Sequence, residues 1–330
     1  MKRNLAPARL AVTIAASLAL VAAGSATAQV TPALQAKIKA IGRFVDPPST
    51  ALVYGPLQPK PPYPGVKVTR DVKYGPDARN ILDVFTPEKP GAKRPVLIFV
   101  PGGAGNKIEP VPMGSPFYDN VMLWAVKNGM TGVNIQRRSE LGEASARDVG
   151  EAIAWVKKNI ATYGGDPSRV YIWGHSAGAM SLAIYLAHPD YYPAGGAGVK
   201  GAVLMAGAYN VAPLKVDAPP LQVRMGMDAK PITMTPPPGA PPPPPEVMMQ
   251  TAVLPGLTRL SVPLYLSAAE LDPEQIVAAT KVLNKALCDA GKCPTFEIYK
   301  HHGHMSQIFA VNTPDVSTSG PVLRFFRGLK

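Results

Sequence analysis

The pentapeptide Gly174-His175-Ser176-Ala177-Gly178 constrains this chain more than any other stretch. It is a Gly-x-Ser-x-Gly pattern, and its flanks give it a structural context. Upstream, Arg169-Val170-Tyr171-Ile172-Trp173 is a short β-branched and aromatic run suited to a buried parallel strand. Downstream, residues 177–187 are a stretch of small residues with Leu and Ile that suits a packed helix. Strand, sharp turn and helix is the arrangement in which this pattern presents a serine hydroxyl above a sheet edge. The turn strains the serine backbone, and its two glycines leave room for it because they carry no side chain. The pattern also arises by chance. In this context the sequence predicts a nucleophilic Ser176.

A serine hydroxyl is a weak nucleophile and needs a general base. The chain has five histidines. On a sheet of this kind the expected chain order is Ser, then Asp or Glu, then His. His175 lies inside the turn and His188 follows its helix, so neither is placed to serve. The cluster His301-His302-Gly303-His304 comes directly after a predicted strand at Thr295–Tyr299. His304 is the predicted base, because Gly303 before it and Ser306-Gln307 after it suit a tight loop entering a helix; His302 is the alternative. A predicted strand at Val262–Ser267 runs into Ala268-Ala269-Glu270-Leu271-Asp272-Pro273. Asp272 is the predicted acid that orients the imidazole, and Glu270 is the alternative. Asp272 also stands where a helix N-cap would, and the two roles compete for one carboxylate. Backbone N–H groups must face the developing negative charge. Ala177, next to the serine, supplies one, and the loop Pro101-Gly102-Gly103-Ala104-Gly105 after a predicted strand at Pro95–Val100 supplies the others.

Elsewhere the pattern is of strands alternating with helices. Val66–Tyr74 and Ile81–Phe85 read as an opening hairpin, and Gly132–Ile135 and Ala202–Met205 as further strands. Residues 144–161 have helical spacing, with Val149, Ile153, Val156 and Ile160 on one side. Gln275–Leu287 and the region of Val322–Phe326 are the later helices. The fold class implied is α/β, a mostly parallel central sheet with helices on both faces. Residues 29–65 read as a proline-rich arm wrapped on the surface after a short helix, and 66–330 as the main domain. Residues 212–258 interrupt the alternation with proline runs, including Pro241–Pro245, and with Met225, Met227, Met234, Met248 and Met249. Five consecutive prolines exclude helix and central strand. The insertion is expected to act as a lid; a surface loop without a role and a proline-rich ligand for a partner are the other readings.

Residues 1–28 read as a cleavable export signal: Lys2, Arg3 and Arg9, an apolar run from Leu10 to Ala23, and the small-x-small site Ala26-Thr27-Ala28. The mature chain is expected to start near Gln29 and to be periplasmic or secreted. The apolar run is short for a membrane anchor. The formal net charge is +12, and +9 without those three basic residues. The basic residues are scattered rather than blocked, so no nucleic-acid partner is expected, and no stable membrane insertion. Cys288 and Cys293, the chain's two cysteines, are spaced for a local disulfide in an oxidising compartment. A zinc site would have to recruit His301, His302 and His304, and no metal is expected.

Several of these motifs together resemble a known family. Asp83-Val84, Phe99-Val100-Pro101-Gly102-Gly103-Ala104, Val133-Asn134, Tyr163-Gly164-Gly165-Asp166-Pro167, the Ser176 turn and Glu270-Leu271-Asp272-Pro273 look like the secreted bacterial carboxylesterases of the α/β-hydrolase fold. That group includes feruloyl- and acetylxylan-esterase-like proteins and relatives of hormone-sensitive lipase and type B carboxylesterases. The resemblance covers roughly residues 66–328. It implies a cofactor-free hydrolase acting on small-molecule esters through an acyl-enzyme, with the amides of Gly103, Ala104 and Ala177 as oxyanion donors. Members usually carry His-Gly-Gly-Gly in that loop; this chain has Pro101 for the histidine and Ala104 for the third glycine. Members often show Asn-Tyr-Arg where this chain has Asn134-Ile135-Gln136-Arg137-Arg138. In that frame Arg137 and Arg138 lie near the pocket rim, to hold a substrate carboxylate or to form a salt bridge with Glu140 or Asp148. The same machinery serves lactone or amide cleavage, acyl transfer, or lipolysis at a lipid surface. A non-catalytic binding protein on this fold is the reading from another class. A monomer is expected.

Overall fold

The computed structural model describes residues 30–89, 91, 93–111, 114–234 and 245–329. The signal read over 1–28 and most of the proline run at 241–245 lie outside the described residues. Helices α1 (Pro32–Ile41) and α2 (Pro47–Tyr54) precede β1 (Val66–Lys73), β2 (Ile81–Pro87) and β3 (Arg94–Val100). Then follow α3 (Asp119–Lys127), β4 (Thr131–Ile135), α4 (Glu143–Asn159), β5 (Gly165–His175), α5 (Ala177–Ala187) and β6 (Gly201–Met205). The insertion contributes a ribbon of β7 (Gln222–Val223) and β8 (Ile232–Thr233) and the helices α6 (Pro245–Thr251) and α7 (Leu254–Leu257). The chain closes with β9 (Leu264–Leu271), α8 (Glu274–Asp289), β10 (Thr295–Gly303), α9 (Ser306–Phe309) and α10 (Ser319–Gly328).

The main sheet has eight strands in the order β1-β2-β4-β3-β5-β6-β9-β10. β2 runs antiparallel to both β1 and β4, and every other pairing is parallel. The buried stretches of the central strands are mostly apolar on both faces because both faces are covered. Val96, Ile98 and Val100 of β3 and Val170 and Ile172 of β5 join the core on one side, with Val149, Ile153 and Val156 of α4 and Leu182 and Leu186 of α5. The alternate residues Leu97, Phe99, Tyr171 and Trp173 join the core on the other, with Val121 and Met122 of α3 and Val322 and Phe326 of α10. Each fully buried aliphatic or aromatic side chain contributes on the order of 1.5–3 kcal/mol. Among the described residues no helix is long and apolar enough to cross a membrane.

The parallel strands leave the loops after β3, β5, β9 and β10 along one edge of the sheet, where open α/β sheets bind ligands. β3 and β5 are neighbours, and so are β9 and β10, so residues far apart in sequence meet there.

The N-terminal segment is more than a surface wrap. Thr31 caps α1 and Asp46 caps α2 through their side chains. Ile38 and Tyr54 are buried in the core. The Asp46 carboxylate pairs with Arg224 of the insertion at 2.7 Å, and Val45 bridges to Val223. Gln58 donates to the carbonyls of Phe309 and Val311, both at 2.9 Å. The insertion returns along α5: Gly256 sits so close that a Cβ there would lie 1.9 Å from the Ala187 carbonyl oxygen. The five methionines of the insertion are exposed.

Candidate active site

Strand β5 ends at His175 and α5 begins at Ala177, so Ser176 alone makes the turn, at φ 54° and ψ −126°. That conformation is strained for a residue with a side chain. The flanking glycines are required by close approach. A Cβ at Gly178 would lie 2.1 Å from the Val100 carbonyl oxygen, and one at Gly174 would lie 2.8 Å from Ala179 Cα. The turn is locked on its far side by the Ser176 N–H, which donates to the Met205 carbonyl at 2.9 Å.

Ser176 Oγ lies 2.8 Å from His304 Nε2, and His304 Nδ1 lies 2.7 Å from Asp272 Oδ1. Asp272 and His304 are both buried. Since a carboxylate only accepts, Nδ1 carries the proton toward Asp272 and Nε2 is left to accept from the serine hydroxyl. The second carboxylate oxygen of Asp272 accepts from the Ala269 N–H and, at 3.1 Å, from Gln307 Nε2. Pro273 occupies the N-cap position of α8, with no side-chain cap. The competition between capping and orienting does not arise, because the Asp272 carboxylate turns back into the strand-end turn. Arg43 donates to the Asp272 carbonyl at 2.9 Å, so the N-terminal segment braces this turn.

Gly102 packs against the serine: a Cβ there would lie 2.9 Å from Ser176 Cβ. Gly103 (φ 51°) and Gly105 (φ 75°) carry the loop through left-handed backbone. Ala177 is the first residue of α5, so the helix itself leaves its N–H without a partner.

Residues 81–225 match the model of the carboxylesterase family. Esterase LipQ of Mycobacterium tuberculosis is 42% identical over 122 residues, which cover 35% of this chain and 28% of that protein. The chain thus spans less than a third of the length of that relative. The solved structure of a bacterial heroin esterase superposes over 92% of this chain and 99% of its own, with a TM-score of 0.64 and 21% identity. Esterase B of Lactobacillus rhamnosis, with a bound inhibitor, covers 80% and 87%, with a TM-score of 0.61 and 14% identity. The chain has the α/β-hydrolase fold.

On this fold the alternative site residues are occupied elsewhere. Glu270 is partly exposed, and its carboxylate accepts from the His301 N–H at 2.8 Å, which with nearby Lys300 holds it below the usual carboxylate range. His302 is buried between two serines, with Nε2 2.8 Å from Ser317 Oγ and Nδ1 3.1 Å from Ser306 Oγ. The Ser317 hydroxyl donates to Asp315, so it accepts from His302 Nε2–H, and Nδ1 shares the Ser306 hydroxyl with the Gly303 carbonyl, which lies 3.2 Å from Ser306 Oγ. The neutral ring is fully satisfied, and burial pushes its pKa down to about 4.

That shift has a sign. In the unfolded chain His302 takes up a proton below about pH 6.5, and folded it stays neutral to about pH 4. Its contribution to stability is therefore complete above pH 6.5 and is lost as the pH falls toward 4. Urea denaturation of His302→Gln is expected to show a shallower loss of stability between pH 6.5 and 4 than the parent chain. An unchanged slope would remove His302 from the acid response.

Arg138 forms a bidentate pair with buried Asp148, one of the two partners the sequence offered. Arg137 is not at a rim. Its side chain is fully buried beneath the glycine loop. Cys288 and Cys293 are brought together, with Cα atoms 3.9 Å apart. Among the described residues no cluster of three or more His, Cys, Asp or Glu is arranged to hold a metal ion.

Three contributors were not read from the sequence. His175 Nε2 contacts the His304 carbonyl at 3.0 Å, and burial holds its imidazole well below its ordinary pKa, so it is a neutral donor. Gln307 bridges Asp272 to the same carbonyl. Its position three residues after His304, at the start of a helix, is a signal the sequence does carry. Glu109, on the loop after β3, accepts from the Tyr118 hydroxyl at 2.6 Å. Burial raises its pKa, against the lowering effect of that hydrogen bond.

Proposed function

We propose that this chain is an exported serine carboxylesterase that hydrolyses small esters through an acyl-enzyme. The observation that carries the reading is the unbroken relay from Ser176 Oγ through His304 to Asp272, with contacts of 2.8 and 2.7 Å. Ser176 Oγ attacks the ester carbonyl carbon while its proton passes to His304 Nε2. The carbonyl oxygen, now negative, is held by the amides of Gly103, Ala104 and Ala177. Collapse breaks the bond to the alcohol oxygen, which takes the proton from His304. A water molecule then loses a proton to His304 and attacks the acyl carbon, and a second collapse releases the acid and restores Ser176. Asp272 holds the imidazole in the required tautomer and stabilises its charged form. The family match over residues 81–225 supports ester chemistry, as does the chain's similarity to Esterase LipQ. Export rests on the basic and apolar run within 1–28, and the paired cysteines agree with an oxidising compartment.

The test is hydrolysis of p-nitrophenyl acetate, butyrate and octanoate by the chain starting at Gln29. Smooth saturation with acetate and butyrate is expected, with octanoate slower. A jump in rate as octanoate passes its solubility limit would instead indicate lipolysis at a surface. No turnover of any ester, together with no labelling by a fluorophosphonate, would overturn the proposal.

A further inference from the structure

The glycine loop lacks the histidine that the resembling family carries at its start, and Pro101 has no side-chain donor to replace it. The structure shows what lies beneath the loop instead. The Arg137 guanidinium is fully buried and has no carboxylate within ion-pair distance among the described residues. It donates to three carbonyls, those of Arg138 at 2.8 Å, Gly103 at 3.1 Å and Pro101 at 3.3 Å. Its backbone grips the same loop, since the Arg137 N–H donates to the Gly105 carbonyl at 3.0 Å. Gly105 makes the approach possible, because a Cβ there would lie 2.5 Å from Arg137 Cγ. A second arginine completes the clamp from the outer side: Arg79 donates to the carbonyls of Ala104 and Arg137, both at 2.8 Å.

We infer that Arg137 is the positioning residue of the oxyanion hole, acting on it through the peptide groups of the loop. The inference rests on the proposed esterase reading. The Gly103 carbonyl and the Ala104 N–H belong to one peptide group, as do the Pro101 carbonyl and the Gly102 N–H. A cation that draws electron density onto a carbonyl oxygen makes the N–H on the other side of that peptide a stronger donor. Arg137 thus orients the Ala104 amide and strengthens it at the moment an oxyanion forms. The cation also lies in a low-dielectric interior beneath the developing charge, where its field is weakly screened. Burial lowers the guanidinium to about 10, so it remains charged at neutral pH. The bare charge is available to the loop because the neighbouring carboxylate, Asp148, is engaged by Arg138.

The function of Arg137 is therefore tied to the transition state. Arg137→Met is expected to lower kcat by about 10- to 100-fold, with KM changing by less than about threefold. Arg137→Lys should recover only part of the loss, because an ammonium is a single point and cannot fork between carbonyls. A trifluoromethyl ketone, whose adduct with Ser176 places an oxyanion in the same hole, should lose affinity in proportion to kcat. Circular dichroism and the melting transition show whether each variant is folded. If Arg137→Met does not fold, Arg137→Lys carries the comparison. A folded variant with parental kcat overturns the inference while leaving the esterase intact. So does one whose kcat falls without weaker ketone binding. A parent chain that neither turns over esters nor reacts with a fluorophosphonate removes the esterase reading and the inference with it.

Discussion

Ser176→Ala is expected to lower ester turnover on the order of a million-fold, to the level left by binding and the oxyanion amides alone. Fluorophosphonate labelling should vanish with it, while circular dichroism stays unchanged. The reason is local: the substitution removes one oxygen and its contact to His304 Nε2, and leaves the backbone turn in place. Ser176→Gly separates chemistry from fold. It should be equally inactive but more stable than Ser176→Ala by about 1 kcal/mol, because glycine adopts φ 54° without a clash. Retained turnover in either variant would place the nucleophile elsewhere. Equal melting temperatures would mean that the turn carries no strain.

Asp272→Asn is expected to cost about 10⁴-fold in kcat, against a few-fold at most for Glu270→Gln. An asparagine amide facing Nδ1 would donate to it. That forces the proton onto Nε2, which then cannot accept from Ser176. The oxygen that receives the Ala269 and Gln307 donors can remain in place, so the loss should come with little change in stability. Glu270 binds a backbone N–H at the strand end, and its carboxylate is not part of the relay. The opposite order of losses would move the acid to Glu270.

The positions in this site that were legible in the sequence are those fixed by backbone demand. The two glycines of the turn, the order of Ser176, Asp272 and His304, and the apolar strands that aim them all follow from local pattern. The choice between His302 and His304 rested on loop shape, and the decisive facts are long-range: Ser317 claims one ring and Asp272 the other. Arg137 illustrates the limit more sharply. Two adjacent arginines after a strand read as a charged rim. Their division of labour depends on β4 lying beside β3, which carries Arg137 under the loop that β3 feeds, and on a glycine 32 positions earlier that leaves room for it. The seating of the N-terminal segment is hidden from the sequence for a similar reason. Its prolines start α1 and α2, and the partners of Asp46, Tyr54 and Gln58 lie in the last third of the chain.

Those partners set an order of assembly. The bonds that seat the first two helices span 178 residues to Arg224, 251 to Phe309, 253 to Val311 and 261 to Asp315. Contacts of such separation form only after the intervening chain has been organised. The part of the described chain that is made first should therefore dock last, after the strands and the His304 loop have formed. A chain stopped anywhere before residue 309 has no seat for Gln58, and one stopped before Asp272 also lacks the turn that Arg43 braces. The opening helices can therefore seat only after the segment around Phe309, Val311 and Asp315 has been placed.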